Sequence, residues 1–261
     1  MKRTLITYAL YKENEGLDFF LDNGVIYDEN VDYIFVVNVD NEFKPSEKFN
    51  NTIQGVSAKV FQRDNVGLDF GGYSCVVDRI SKSRLIDSYD YFIFMNQTIT
   101  GPLASEGVWD GKSHWSNLFT QKINDKDKLV GITINCFSFP CMYTPDPHVQ
   151  SMIFATDKIG LNLAIEKNIF DYKNILTDKD EIVVKKEIEL SRVFLNAGYN
   201  ISCMLPSYEG EDFTQGLPKN AQGCVWSMGH VFAVATETGW EWFHHDNPPD
   251  IPNLVFLKNN R

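Results

Sequence analysis

The stretch AKVFQRDNVGLDFGGYSCVVDRISKSRLI, residues 58 to 86, changes periodicity across one short loop. Its first part, AKVFQRD (58–64), reads as a strand and its last, DFGGYSCVVDRISKSRLI (69–86), as a helix. Three glycines, 67, 71 and 72, crowd the junction together with Arg63, Asn65 and Asp69. Glycine at that density lets backbone approach a ligand closely, and the polar residues suggest a ligand that is charged or rich in hydroxyls. Close helix–sheet packing is the alternative reading for Gly71 and Gly72.

The same strand-then-helix unit recurs on either side. Upstream, RTLITYALY (3–11) reads as a buried strand, NEGLDFFLDNGV (14–25) as a helix capped by Asn14, and VDYIFVVNVD (31–40) as a second strand. Downstream, YDYFIFMNQT (89–98) is a fourth strand, DKLVGITINCF (127–137) a further strand, and KIGLNLAIEKNIF (158–170) a helix. DEIVVKKEIELSRVFLNAGY (180–199) follows as one long amphipathic helix closed by Gly198, then ISCMLPSY (201–208) as a late strand. Residues 207–250 are rich in Gly, Pro, Asn and aromatic residues without clean periodicity, and read as functional loops. The order predicts a single α/β, Rossmann-like domain with a mostly parallel central sheet and helices on both faces.

Composition limits what such a domain does. A chain of 261 residues with 43% hydrophobic content buries one large core, and a net charge of −11 argues against a surface that grips nucleic acid. The apolar run in MKRTLITYALYKENEG is about six residues, too short for a signal peptide's core, and no run approaches the roughly 18 to 20 apolar residues of a membrane span. These features predict a soluble, cytoplasmic protein. The cysteines, 75, 136, 141, 203 and 224, are odd in number and lack a CxxC pair, so they read as reduced, buried thiols rather than a disulfide framework or zinc site.

In open α/β sheets ligands bind beyond the carboxyl ends of the strands. That selects TYALYKENE, NVDNE, RDNVGLDFGG, MNQTITGP and the region of FSFPCMYTPDPHVQS, which should converge on one cleft.

Four of the chain's segments, in order, resemble the nucleotide-sugar-dependent glycosyltransferases of the GT-A fold, especially small relatives from polysaccharide-building and rhamnan-synthesis systems. RDNVGLDFGGY resembles their R-x-N-x-G-x-D loop; YDYFIFMNQTITGP resembles a strand ending in an N-S-S-x-x-G-P type motif; HVQSMIFATDKIGL resembles an H-V-Q-S segment; and KKEIELSRVFLNAGYNISCML resembles an E-x-x-L-S helix. The tail NLVFLKNNR resembles F-x-K-x-N-R. The resemblance implies transfer of a sugar from a nucleoside-diphosphate donor, UDP first, to a glycan or other hydroxyl acceptor, with residues 1–100 as the donor half and 101–261 as the acceptor half.

On that resemblance Tyr8 flanks the base or is simply core; Asn38 and Asp40 accept from base or ribose or simply turn the chain. Arg63 meets a phosphate or forms an ordinary ion pair, and Asn65 and Asp69 hold ribose or sugar hydroxyls. Asn96 and Thr98 complete the donor side. His148, Trp240 and Trp242 are candidates for the acceptor side, with core packing as the alternative for each.

Where most members of the fold carry a D-x-D triplet that holds a divalent cation, this chain has Asn96-Gln97-Thr98. Mg²⁺ and Mn²⁺ prefer carboxylate oxygen, so a cation here must borrow Asp69 or His230, bind weakly, or be absent. Without it, Arg63, Lys258 and Arg261 are the basic residues to consider for the leaving group.

Glu187 is the candidate general base, matching the acidic position of the E-x-x-L-S helix; pairing with Lys185, Lys186 or Arg192 is the alternative. In an ideal α-helix Glu189 points about 200° away from it. Glu209, Glu211 and Asp212 are next in line. A noncatalytic nucleotide-sugar or glycan-binding relative remains the main competing class; a nucleotidyltransferase is disfavoured because YALYKENEG lacks a glycine-rich basic loop.

Overall fold

The computed structural model describes residues 2–40, 42–104, 108–109, 111–137, 145–218, 231–236, 239–244 and 255–258. In chain order its elements are β1 Thr4–Leu10, α1 Glu15–Asn23, β2 Val31–Val39, α2 Glu47–Gln54, β3 Ala58–Asp64, α3 Leu68–Lys82, β4 Tyr91–Asn96 and β5 Ile99–Thr100. They continue with α4 Asn117–Thr120, β6 Asp127–Gly131, β7 Ile134–Phe137, β8 Pro145–Val149, β9 Ile153–Asp157 and α5 Lys158–Glu166. The last group comprises α6 Lys179–Ile182, α7 Glu189–Asn196, β10 Asn200–Cys203, β11 Val231–Thr236, β12 Gly239–His244 and β13 Leu257–Lys258.

A seven-stranded sheet with order β10-β6-β9-β4-β1-β2-β3 organises the molecule. Strands β1 to β4 are mutually parallel, as are β6 and β10, whereas β9 runs antiparallel to both β4 and β6. The α/β, mostly parallel sheet expected from the sequence is therefore present. Central β1 is buried at every residue because β2 and β4 flank it and both faces are covered. Beneath α3 and α5 the aromatic rings of Phe94, Phe154 and Phe170 stack at centroid distances near 5.1 Å. Burying each such ring stabilises the fold by about 1.5–3 kcal/mol.

Local signals explain the element ends that frame the site. Asn14 caps α1, accepting from Leu17 N at 2.9 Å, and Ser46 caps α2, accepting from Phe49 N at 3.1 Å. At the end of α7, Gly198 adopts φ +84° while Gly198 N and Tyr199 N donate to Leu195 O and Phe194 O, a Schellman closure.

Four expectations need correction. Residues 127–137 form two strands, β6 and β7, in different sheets. Strands β8 and β9 occupy a region without an expected strand, because each is only five residues long and too short to declare a period. The helix expected over 180–199 is α6, a π-helical segment Val183–Ile188, and α7. Within the expected loop region, β11 and β12 form an antiparallel hairpin. Among the described residues no helix is long and apolar enough to cross a membrane.

Candidate active site

An open cleft of about 550 Å³ lies beyond the carboxyl ends of β1, β2 and β3. Its walls include Tyr11, Lys12, Asn38, Asp40, Lys44 and Asn65. The topology rule for α/β sheets thus selects the region where the structure opens.

Residues meet there because the register of the parallel strands aligns their ends. Asn38 lies opposite Arg63 and Ala9 opposite Asn96. Since β9 is antiparallel to β4, its start reaches the same edge: Asn96 N donates to Met152 O at 3.1 Å, beside Ser151. Asp69, in the first turn of α3, accepts from Asn96 Nδ2 at 2.8 Å. Glu187, carried by the π-helical segment, accepts from Ser151 N at 2.9 Å and from Ser151 Oγ. Glu187 is close enough that its charge acts on the Asp69 carboxyl.

Asp69 keeps part of its surface open, yet burial, and then the charge of Glu187, pushes its carboxyl up to about 6. The folded protein therefore holds the Asp69 proton to about pH 6, whereas an unfolded chain releases it near 3.8. More protons bound to the folded state means that the stability Asp69 contributes is full below that lower value and lost as pH rises through about 6. Asp69→Asn is expected to flatten this part of the profile, as read by urea unfolding between about pH 4 and 7. An unaltered slope would separate Asp69 from the titration.

The glycine loop after β3 is braced from inside. Arg63 Nη1 donates to Asn38 Oδ1 at 2.6 Å and Nη2 to Val66 O at 2.8 Å, with the guanidinium 5.9 Å from the Tyr172 ring centroid. Gly67 takes φ +80°, and a Cβ on Gly71 would sit 2.0 Å from Val66 O. Both glycines are required by the loop's own path, and Arg63 holds that path.

Several expected site residues fall in place differently. Tyr8 is 1% exposed, stacked on Phe20 at 4.8 Å, so the base-flanking expectation is corrected: its ring belongs to the core. Tyr11, three residues on and 50% exposed, lines the cleft, as does the buried Phe43. A strand end placed one residue late hides this difference; Tyr11 is the first residue past β1. Arg63 is tied to Asn38 and Val66 rather than presented as a free phosphate ligand. His148 is 3% exposed, with Nδ1 2.8 Å from Asp146 O, so its acceptor-binding expectation is also corrected. Thr98 donates through N and Oγ1 to Asn96 Oδ1, at 2.9 and 2.5 Å, turning inward on the triplet.

Asn38, Asp40 and Asn65 line the cleft as expected for that edge. Trp240 and Trp242 are alternate residues of β12, in register with Ala235 and Ala233. His230 and Arg261 lie outside the described residues, and Lys258 is described only as part of β13. Sequence reasoning missed Lys12 and Lys44 in the cleft, and Gln97, whose Oε1 accepts from Tyr11 N at 2.7 Å and fixes the loop behind it. It also missed Ser151, although the H-V-Q-S segment contains it.

A resident divalent cation does not fit the described residues. Asn96 spends its amide nitrogen on Asp69 and its oxygen on Thr98, and among the described residues no three His, Cys, Asp or Glu side chains gather as ligands.

The π-helical segment also changes the geometry assumed for Glu187 and Glu189. Its hydrogen bonds span five residues instead of four, so ideal α spacing does not apply across Glu187. Glu187 meets Ser151, whereas Glu189 lies 3.4 Å from Arg192, which is paired with Asp146.

Comparison with known proteins adds the family. The chain matches the family RgpF: Rhamnan synthesis protein F over residues 34–222. It belongs to the rhamnan synthesis protein F family. That match runs from within β2 to the segment after β10 and so includes Arg63, Asp69, Asn96, Ser151 and Glu187. Virulence protein VirA of Vibrio anguillarum (strain ATCC 68554 / 775) is 24% identical to this RgpF-family chain over 148 residues, covering 56% of the chain and 41% of VirA. The chain thus spans less than half the length of that relative. Among solved structures, S. aureus TarS 1-349 aligns with a TM-score of 0.45 and 9% identity, covering 74% of this chain and 56% of TarS.

Proposed function

We propose that this protein is a GT-A-type glycosyltransferase that moves a sugar from a nucleoside-diphosphate-sugar, UDP-sugar first, to a glycan or other hydroxyl acceptor. The observation that carries the reading is the juxtaposition of the strand-end cleft, with Tyr11, Asn38, Asp40 and Asn65 on its walls, and the neighbouring Asp69–Glu187 carboxylate pair. An aromatic face and amide or carboxylate oxygens suit base and ribose, and a carboxylate suits activation of a hydroxyl. Membership of a rhamnan synthesis family supports a sugar substrate.

In this reading Tyr11 replaces Tyr8 against the base, and Asn38, Asp40 and Asn65 meet base and ribose. Asp69, held by Asn96, faces the donor sugar. Glu187 accepts the proton of the acceptor hydroxyl while the hydroxyl oxygen bonds to the anomeric carbon and the sugar–diphosphate bond breaks, releasing the nucleoside diphosphate. Trp240 and Trp242 of β12 serve the acceptor. The chain acts as one unit in the cytoplasm, with residues 1–100 serving the donor and 101–261 the acceptor.

UDP and a panel of UDP-sugars, with and without Mn²⁺, test this by thermal shift and by release of UDP. A ligand at about 100-fold over its Kd adds about 2.7 kcal/mol of apparent stability. Because the amide groups of Asn96 and Gln97 are already engaged by Asp69, Thr98 and Tyr11, UDP release is expected to survive EDTA in part. Complete loss in EDTA, restored by Mn²⁺, would overturn the metal-weak reading; binding without turnover would favour a noncatalytic relative, the reading that Asn96 in place of a carboxylate supports.

A further inference from the structure

We propose that Ser151 is the positioning residue for Glu187, fixing one carboxylate oxygen so that the other is left for the acceptor hydroxyl. The proposal rests on Glu187 as general base. Both donors of Ser151, its backbone N–H and its hydroxyl, converge on Glu187 Oε2. Among the described residues no hydrogen bond reaches Oε1. A carboxylate held in this way keeps its plane and direction, and one acceptor atom stays available for a proton.

Ser151 is itself immobilised from three elements. Its carbonyl accepts from Tyr73 Oη of α3 at 3.3 Å, and Tyr73 is fully buried. The next residue, Met152, binds the end of β4 through Asn96 N, and β9 starts immediately after it. The short turn between β8 and β9 therefore transmits the position of the sheet edge to a side chain on a separate helical segment. That segment is the π-helical stretch, where ideal α geometry does not set the direction of Glu187. Other charged neighbours on the segment look elsewhere: Lys185 pairs with Glu181 at 2.6 Å and Lys186 donates to Asn168 O at 2.7 Å. Ser151 is the contact that aims the carboxylate.

The test compares Ser151→Ala, Ser151→Thr, Glu187→Gln and the double variant Ser151→Ala/Glu187→Gln, with UDP release from the UDP-sugar panel as the assay. Ser151→Ala is expected to lower kcat about tenfold, with donor KM within about twofold and unfolding temperature little changed. Ser151→Thr, which keeps the hydroxyl, restores most of that loss. In the Glu187→Gln background Ser151→Ala has no further effect, since residues acting as a unit are not additive. Additive losses, or a fall in donor affinity and unfolding temperature together, would assign Ser151 a structural role and overturn the proposal. A crippled Glu187→Gln beside a fully active Ser151→Ala sinks Ser151 alone. A fully active Glu187→Gln, or a wild-type protein inert toward every UDP-sugar, removes the base reading and this proposal together.

Discussion

Replacing Glu187 by glutamine is expected to lower kcat by about 10²-fold or more while nucleotide affinity stays within about twofold. Glutamine retains the shape and one acceptor oxygen for Ser151, so the local packing survives, but an amide does not take a proton from a hydroxyl. Glu189→Gln is the control. Glu189 makes only a partly exposed contact with Arg192 at 3.4 Å, of the kind worth about 0–1 kcal/mol, and its loss should be nearly silent. Steady-state kinetics of the two variants, with UDP titrations for affinity, measure both effects. A crippled Glu189→Gln beside an active Glu187→Gln would move the base by two residues. Two silent variants would leave the transfer without a base on this segment; of the acidic residues next in line, Glu209 and Asp212 are already paired with Lys122 and Lys126.

Gly71→Ala should be the most damaging single methyl in the donor half. Its Cβ would sit 2.0 Å from the carbonyl oxygen of Val66 and 3.1 Å from Arg63 Nη1. The carbonyl has no easy escape, because Arg63 Nη2 holds it at 2.8 Å while Gly67, at φ +80°, and Leu68, at φ +53°, carry the chain through a left-handed turn. Relief requires moving the loop, the start of α3 and the Arg63–Asn38 contact together. Overpacking of this kind costs about 3 kcal/mol, which lowers the unfolding temperature of a chain of this size by roughly 6–10 °C. The expected result in calorimetry is that drop together with weakened UDP binding, since Asn65 of this loop and Asn38, held by Arg63, both line the cleft. A variant with unchanged unfolding temperature and UDP affinity would show that the loop adapts and does not organise the cleft.

The strands β1, β2 and β4 were legible in the residues because each is a buried run rich in β-branched and aromatic side chains, and α1 and α3 were legible beside them, whereas the short, polar α2, Glu47–Gln54, gave no expectation of a helix. The helix α1 also carries its own cap, Asn14. Local chemistry of that kind needs no partner to be read, and it sufficed to place Asn38, Asp40, Asn65 and Asp69 at the carboxyl edge. It also separated this chain from D-x-D members of the resembling fold. The sequence by itself therefore determined the α/β architecture, the edge that bears the site and the absence of two carboxylates at 96 and 98.

What tertiary structure decided was which side chain on that edge is free. Tyr8 and Tyr11 differ little as residues, but two flanking strands bury the first and the end of pairing exposes the second. Arg63 reads as a ligand until Asn38, brought opposite by the β2–β3 register, and Val66 claim its nitrogens. Antiparallel β9 places Ser151 against Glu187, 36 residues away, and a π-helical segment sets where that carboxylate sits. Side-chain availability depends on contacts between segments distant in sequence, and no periodicity within either segment encodes them.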